Sequence, residues 1–390
     1  MFDILSTAVP LEYRALLLID LGVWGWGFNL HILENIGIDV RLLFNLDETR
    51  KLPHQVIYRI AFVFTFITLF GLWIFWKVAE NGQNASIVTG LCYFSVLFLT
   101  LSPFNIFHRK TRFNFLSALK RVIFSSLRSE VSFGDVILAD ILTSFAKVGV
   151  GIYIAFCTFL SFTDSAELSS SGSSSDHFKL DIMAPLITAL PFIFRLRQCI
   201  SEYLSSRDSG SRHLANAIKY ASAFPVVFFS ALMHREDEDE NSILFSLWLM
   251  FVLFNSIYSF YWDVVMDWDL GNTPSQQSKS SFPPLLRPVL MFQEPSIYYL
   301  TILLDFFLRT SWSLKLSDHA HLKEIIASGF VMEGAEIMRR WLWVYFRAEK
   351  EWITKRYGSS TLRDSAKFHN NIYALQHNRI DDSNDMPLSP

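Results

Sequence analysis

The sequence is poor in charged residues and in cysteine, and it contains no segment of useful size that resembles a soluble domain. Only 18% of its 390 residues are charged, and its three cysteines, Cys92, Cys157 and Cys199, all lie in apolar runs. Their spacing excludes a cysteine metal site and favours buried thiols over a disulfide framework. No glycine-rich phosphate loop and no solenoid repeat is present, and we expect no nucleic-acid partner.

Apolar and aromatic residues are abundant instead. The chain is 51% hydrophobic, and its 37 phenylalanines and 11 tryptophans are far more than a soluble domain of this length needs. This composition indicates an integral membrane protein. Residues 1–12 have neither the basic region nor the small-residue cleavage site of a signal peptide, so we expect the first apolar segment to remain as an anchor.

About nine segments are long and apolar enough to be membrane spans, since a helix needs roughly 20 such residues to cross the hydrocarbon core. We therefore predict an all-α fold, a polytopic bundle of about nine transmembrane helices. The predicted spans are Leu11–Leu33, Val56–Trp76, Ser86–Phe107, Asp135–Phe162, Ile182–Tyr203, Leu214–Met233, Ile243–Trp262, Ile297–Trp312 and Ile325–Phe346. Charged residues interrupt the last two, as expected of spans that line a polar pathway.

Lysine and arginine near the span ends predict the orientation. Residues 108–130 hold six basic residues, which places this segment in the cytosol, and its apolar residues fall near one helical face, so we expect it on the membrane surface. Alternation then puts residues 1–10 and the serine-rich loop 163–178 in the lumen. The polar tail 351–390 is predicted to be cytosolic and disordered. The sequon at Asn84 falls on the lumenal side, close to the bilayer, and is a glycosylation candidate.

Ionisable side chains recur inside the predicted spans, where each costs at least about 2.5–3.5 kcal/mol at the bilayer centre. They include Asp140, Lys147, Arg195, Arg197, Lys219, Asp305, Arg309, Glu336, Arg339 and Arg340, and Asp263 and Asp267 directly follow the seventh span. Side chains near span ends can instead extend to the membrane interface. For any single residue, a role as an interface anchor and a role in a polar site have about equal weight. The recurrence in at least four spans favours a polar interior.

The spacing of these residues groups them on helix faces. Asp140, Thr143 and Lys147 recur at helical spacing, so they can share one face. Asp263 and Asp267 are four residues apart and stack their carboxylates on one side of the seventh span.

The last two predicted spans add arginines at the same spacing. Glu336 can pair with and orient Arg339 or Arg340, while Trp312 follows Arg309 by one turn. Arginine and lysine surrounded by balancing carboxylates suit the recognition of a small oxyanion.

An intramembrane enzyme is an alternative interpretation. The four-residue spacing of Asp263 and Asp267 occurs in metal-binding aspartates of lipid phosphotransferases, but the Asp-Gly-x-x-Ala-Arg part of that signature is missing. His319 and His321 are two lone histidines, which more often bind nothing. We therefore predict no catalytic residue, no cofactor and no metal.

Several stretches together resemble the EXS family, whose larger members are phosphate exporters. They are Tyr261–Leu270, Leu308–Trp312, Glu336–Arg340, Asn216–Tyr220, Phe133–Asp135 and Ala139–Asp140. The resemblance runs from Tyr13 to Glu351 and implies a single EXS-type transmembrane domain over residues 11–350. The large members also carry an N-terminal SPX regulatory domain, for which the start of the first span near Leu11 leaves no room. Control by inositol polyphosphates through that domain is therefore not expected.

The resemblance also implies roles for individual residues. The residues expected to bind phosphate are Lys219, Tyr220, Arg309, Arg339, Arg340, Asp140 and Thr143. The carboxylates expected to balance the charge of the cations are Asp263, Asp267 and Glu336, and Trp312 is the implied gate. The chain departs from the exporters at Thr143, where they have asparagine, although a hydroxyl can still donate to phosphate.

The short fungal members of this family imply the cellular role. By that resemblance the chain is a Golgi membrane protein, or cycles with the endoplasmic reticulum, and it returns the phosphate released by glycosylation to the cytosol. It would thereby support glycoprotein processing and retention of ER lumenal proteins. The alternative is a sorting scaffold without transport activity that contacts the glycosyltransferase-recycling machinery through residues 108–130 and the tail. Membrane lipid is an expected partner, and a homodimer is left open.

Overall fold

The computed structural model describes twelve stretches of the chain. They are residues 9–44, 53–83, 85–105, 107–127, 129–164, 174–205, 210–235, 243–271, 285–287, 289–292, 294–311 and 329–356. Within 161–164 and 174–181 only the backbone is described. Trp312, Asn84, the two histidines His319 and His321, and the tail beyond residue 356 lie outside these stretches, so the predictions made for them stay predictions.

All regular secondary structure in the described stretches is helical, as the composition predicts. The helices are α1 (Leu11–Asn35), α2 (Val40–Leu43), α3 (His54–Glu80), α4 (Ser86–Leu101), α5 (Arg109–Phe124), α6 (Phe133–Ser144), α7 (Ala146–Asp164), α8 (Ser174–Ser205), α9 (Gly210–Ala221), α10 (Ala223–Arg235), α11 (Ile243–Tyr261), α12 (Pro295–Thr310) and α13 (330–356). A π-helical segment, Trp262–Asp267, continues α11.

Five helical stretches in the described part of the chain are long and apolar enough to cross a membrane. They are Leu11–Asn35, His54–Glu80, Ile182–Ser205, Gly210–Met233 and Ile243–Asp267. The pair α6 and α7 makes a sixth candidate if it is counted as one span. The chain is thus a polytopic helical membrane protein. The predicted count of about nine spans includes helices that are shorter or carry more charge, such as α4 and α12, and that count stays a prediction together with the sidedness.

The fourth predicted span is not one continuous helix. It is broken between α6 and α7 at Phe145, and the two helices meet at 61°. The Phe145 ring lies against Gly22 of α1, where a Cβ would come within 2.3 Å of a ring carbon. The prediction that Lys147 shares a face with Asp140 and Thr143 is therefore wrong. Lys147 lies in α7, which runs in a different direction from α6, and its side chain is exposed.

The ends of other helices also differ from the predicted ones. Helix α13 begins at residue 330 and runs ten residues beyond Phe346, so the first residues assigned to the tail are helical. The predicted span Leu214–Met233 is divided between α9 and α10, and α8 begins at Ser174, inside the predicted serine-rich loop.

The core of the bundle is built around α13. Its apolar side chains, including the buried Trp343 and Phe346, pack with Trp268 and with residues of α1 and α6. Gly25 of α1 permits this close approach, because a Cβ there would overlap the Trp341 indole. Glu336, Arg339 and Arg340 of the same helix face a polar cluster inside the protein.

Helix α5 lies in the segment 108–130 and is fastened to its neighbours by two arginines. Buried Arg112 donates to main-chain carbonyls at and beyond the end of α4, including those of Ser102 at 2.9 Å and Phe107 at 2.8 Å. Arg121 makes a bidentate pair with Asp135 at the start of α6, which raises the pKa of the Arg121 guanidinium. The two arginines therefore hold the helix against the bundle, together with the buried side chain of Val122.

Candidate functional site

One face of α13 carries a ladder of polar side chains along the bundle. Glu336, Arg339, Arg340, Trp343, Arg347 and Lys350 recur at intervals of three and four residues, so they lie on the same side of the helix. The ladder is about 21 Å long at 1.5 Å per residue. Residues from α6, α8, α9, α12 and the π-helical segment meet it.

Asp263 is the centre of the ion-pair cluster. Its carboxylate is fully buried and pairs with three cations from three helices: Lys219 at 2.9 Å, Arg339 at 3.2 Å, and Arg309. The π-helical turn widens the backbone here, with the Trp268 amide donating to the Asp263 carbonyl five residues earlier at 2.9 Å. Such π-turns are frequent at functional sites.

Two further carboxylates share the arginines of this cluster. Arg339 contacts Asp305 at 3.1 Å and Glu336 at 2.6 Å, and Arg309 lies 3.4 Å from Asp305 on its own helix. Glu336 retains 38% side-chain exposure, whereas the cluster's interior side chains are almost completely enclosed. The cluster is therefore open at Glu336.

A second group forms around Asp140 in α6. Its carboxylate accepts from Tyr220 at 2.5 Å and from Arg195 at 3.0 Å, and all three side chains are buried. Arg195 and Lys219 both lie over the Tyr220 ring, at 4.9 and 5.3 Å from its centroid. Tyr220 thus connects the Asp140 group with the Asp263 cluster through cation–π contacts.

Arg340 is bonded differently from the other central arginines. Its guanidinium donates to the hydroxyls of Ser144 at 3.0 Å and Thr143 at 3.1 Å. Among the described residues it makes no ion pair, and its buried Nη1 has no hydrogen-bond partner. A buried guanidinium nitrogen of this kind is costly unless something accepts from it. The arrangement is suited to an anion that enters the cluster.

Thr143 orients Arg340 instead of presenting a free donor. Its hydroxyl donates to the main-chain carbonyl of Asp140 at 2.7 Å, so only its oxygen lone pairs face Arg340. The expectation that Thr143 donates directly to phosphate therefore does not fit this conformation.

The remaining predicted residue of the cluster, Asp267, faces a cavity of about 300 Å³. Its carboxylate accepts from the Trp343 indole at 3.2 Å and lies 3.7 Å from Lys219. The cavity lies between α8, α9, the π-helical segment and the last turns of α13, and we call it the vestibule. Its lining residues are Val136, Arg195, Glu202, Arg212, His213, Asn216, Trp262, Asp267, Arg347, Lys350, Glu351 and Thr354.

The structure therefore brings together every described residue that the sequence assigned to a pathway or counter-charge role. It adds Arg195, Asp305, Ser144 and the vestibule residues other than Asp267, to which the sequence assigned no role. The four-residue spacing of Asp305 and Arg309 was a usable signal for one of them. Nothing in the sequence links Arg195 to Asp140, since 55 positions separate them.

The enzyme interpretation requires Asp263 and Asp267 to bind a metal, but both carboxylates already contact cationic side chains or an indole N–H. Asp263 pairs with lysine and arginine, and Asp267 with Lys219, the Trp343 indole and Arg347. In the described part of the chain, no group of three or more His, Cys, Asp and Glu residues is arranged to hold a metal ion. This environment fits the counter-charge role better than a metal-binding one.

Comparison with known proteins gives one family. The EXS family profile matches residues 9–353. The chain is 28% identical to Protein ERD1 homolog 1 of Schizosaccharomyces pombe over 88% of its own length and 90% of that protein. It is 29% identical to solute carrier family 53 member 1 of Mus musculus, over 86% of this chain and 48% of that one.

A third relative is a Dictyostelium discoideum protein named SPX and EXS domain-containing protein 1. It is 29% identical over 89% of this chain and 37% of its own length. The chain thus spans less than half of the mouse and Dictyostelium relatives, and nearly all of the fission-yeast one.

Proposed function

Because the chain belongs to the EXS family, we propose that it is a transporter that moves inorganic phosphate through the α13 pathway. The supporting observation is Arg340, a buried guanidinium held by two hydroxyls with one nitrogen unpartnered among the described residues. Phosphate offers the acceptor oxygens that this geometry fits. Carboxylates around the neighbouring cations keep the anion from binding too tightly to leave.

The direction and location follow from the resemblance to the short fungal members of the family. We propose that phosphate enters from the Golgi lumen near Glu336 and leaves to the cytosol through the vestibule. This direction agrees with the predicted orientation, in which the start of α13 is lumenal and its end cytosolic. Return of phosphate from the lumen would support glycoprotein processing and retention of ER lumenal proteins.

Arg340→Gln is the variant that tests this proposal most cleanly. Removing Arg309 or Arg339 takes one cation from two buried carboxylates, Asp263 and Asp305, and we expect this to destabilise the protein. Arg340 contacts hydroxyls, so its loss leaves no carboxylate stranded at contact distance among the described residues. The matched control is Arg356→Gln, an exposed arginine near the end of the same helix.

The measurement is uptake of radiolabelled phosphate by proteoliposomes that contain the purified full-length protein. We expect flux in the wild type and the Arg356→Gln control, and at least about a tenfold loss in Arg340→Gln, the effect of one charged hydrogen bond. The melting temperatures should agree. Wild-type flux in Arg340→Gln, or no flux in folded wild type across pH and gradient conditions, would contradict the proposal.

The second candidate function is the sorting scaffold, and the surface of α5 favours it. This helix contains no acidic residue, and its exposed face carries Arg109, Lys110, Lys120 and Arg121 together with Phe113 and Phe124. A scaffold role predicts that Lys110→Glu with Lys120→Glu redistributes Golgi glycosyltransferases while phosphate flux stays normal. Unchanged glycosyltransferase location in that double variant would argue against it.

A further inference from the structure

The vestibule contains two cations that have no ion pair with any described carboxylate. Arg212 and Lys350 both donate to one main-chain oxygen, the carbonyl of Met266, at 2.8 and 2.6 Å. The other basic lining residues have carboxylate partners: Arg195 has Asp140, His213 has Glu202 at 3.3 Å, and Arg347 has Glu351 at 3.2 Å. Arg212 and Lys350 are therefore the surplus positive charge of this cavity.

The Met266 carbonyl does not neutralise them. It lies at the end of the π-helical segment, where the amides of Trp268 and Leu270 bond instead to the carbonyls of Asp263 and Val264. A carbonyl at a helix end carries only a partial negative charge. Two full positive charges that converge on it repel each other, and an anion between them would remove that repulsion.

The vestibule also continues the proposed pathway. Its wall includes Asp267, which pairs with Lys219, and Arg195, which pairs with Asp140, so the central cluster forms its inner end. A volume of about 300 Å³ is at the lower end of cavities that hold small molecules. One buried acceptor in the wall, Oδ1 of Asn216, has no hydrogen-bond partner in the described structure.

We propose that the vestibule is a second oxyanion site, in which Arg212 and Lys350 hold one phosphate after it leaves Arg340. This proposal rests on the proposed transport function for the identity of the anion. The site itself is defined by its own two cations, so it can be tested separately. In this site the phosphate oxygens accept from the guanidinium and the ammonium, and Met266 remains a shared neutral acceptor.

The test is equilibrium dialysis of radiolabelled phosphate against the purified full-length protein. We expect two phosphates per wild-type chain, and one per chain for the double variant Arg212→Gln with Lys350→Gln. Arg340→Gln should also bind one phosphate, and the triple variant none. The Arg356→Gln control should bind two. For the single variant Arg212→Gln we expect the vestibule site to lose about tenfold in affinity. Arg212 is exposed, so this variant gives a readable result even if the double variant does not fold.

The outcomes separate this proposal from the transport proposal. Loss of one phosphate in the double variant supports the vestibule site even if Arg340→Gln changes nothing and flux is absent. Wild-type stoichiometry and affinity in the folded double variant overturn it and leave Arg212 and Lys350 as cations that only cap a helix end. Binding of a single phosphate to wild type that depends on Arg340 alone also overturns it.

Discussion

Two buried ion-pair clusters in this protein are closed to different degrees. One surrounds Glu349 of α13, which is fully buried and pairs with Arg287 at 2.5 Å. Glu349 also accepts from the Tyr298 hydroxyl at 2.5 Å and the Met291 amide at 2.7 Å, and Arg287 donates onward to the Trp268 carbonyl at 2.7 Å. One acid, one base and local neutral groups thus fasten the segment before α12 to α13.

The other cluster, around Asp263, is spread over four elements and is open at both ends. Each of its main cations contacts more than one carboxylate, one end reaches partly exposed Glu336 and the other reaches the vestibule. Beside it Arg340 has a nitrogen without a partner in the described structure. Burial of charge alone therefore does not mark a pathway, since both clusters are buried. What differs is that the Arg340 nitrogen has neither a hydrogen bond nor an ion pair among the described residues, whereas Nη2 of Arg287, which also lacks a hydrogen bond, pairs with Glu349 at 2.5 Å.

The largest expected effect is on stability, at the closed cluster. Glu349→Gln leaves buried Arg287 without its carboxylate, and breaking such a pair costs about 3–5 kcal/mol. We expect a large fall in melting temperature in detergent, while flux per folded molecule is retained. The control is Glu80→Gln, whose pair with Lys77 is 60% exposed on the glutamate side and should contribute about 0–1 kcal/mol. Equal melting temperatures for the two variants would show that the Glu349 cluster is not a structural clamp.

At the open cluster, Asp263→Asn should act mainly on the anion. Lys219 keeps Asp267, Arg309 keeps Asp305, and Arg339 keeps Asp305 and Glu336, so no cation is left alone. Removing one counter-charge should strengthen phosphate binding by about tenfold and slow its release, because the cations are then less neutralised. Equilibrium dialysis and proteoliposome flux should therefore move in opposite directions.

The control for this change is Asp135→Asn, a buried carboxylate whose partner Arg121 lies outside the pathway. It should leave phosphate affinity unaltered. If Asp263→Asn weakens phosphate binding while the protein remains folded, the carboxylate is not a counter-charge for the anion, and the comparison between the clusters loses its functional meaning.

A smaller effect is expected where Arg340 is held. Thr143→Val removes one acceptor of the Arg340 guanidinium with little change in shape, and one such bond is typically worth about 0.5–1.5 kcal/mol. Flux should fall by about two- to tenfold. Thr143→Ser keeps the oxygen and should retain most of the flux, so equal losses in the valine and serine variants would place the effect in packing instead.

Much of this architecture was predictable from the sequence, and the part that was not has physical reasons. Composition and hydropathy predict the helical membrane fold because lipid leaves few other options for the backbone. Intervals of three and four residues place Glu336 beside Arg339, as observed. The break at Phe145 was missed because hydropathy does not record a change of helix direction within an apolar run.

The vestibule was missed for a related reason. Arg347 and Lys350 lie past Phe346, the last residue of the predicted ninth span, so hydropathy gave neither of them a place in the pathway. The helix continues to residue 356, and this extension carries the polar face of α13 beyond the span. Continuing the intervals from Glu336 through Arg340 and Trp343 would have found both residues.

The smallest expected effect is a pH dependence at that end of the pathway. Burial, together with the neighbouring Arg212 and Arg347, lowers the pKa of Lys350 to about 8, although Asp267 and Asp269 oppose the shift. The lysine is therefore charged below pH 8 and loses its charge as the pH rises through that value. Phosphate affinity of the vestibule should fall accordingly, by up to about tenfold between pH 7 and 9.

Lys350→Arg isolates this titration, because arginine stays charged throughout the range. Phosphate changes its own charge near neutral pH, but it does so equally for both proteins, so the ratio of their vestibule affinities reports Lys350 alone. That ratio should be constant between pH 6 and 7 and should favour the arginine variant increasingly above pH 8. A ratio that stays flat to pH 9 would mean that Lys350 does not contact the anion. The vestibule would then resemble the Glu349 cluster, because its cations would serve only to hydrogen-bond main-chain carbonyls.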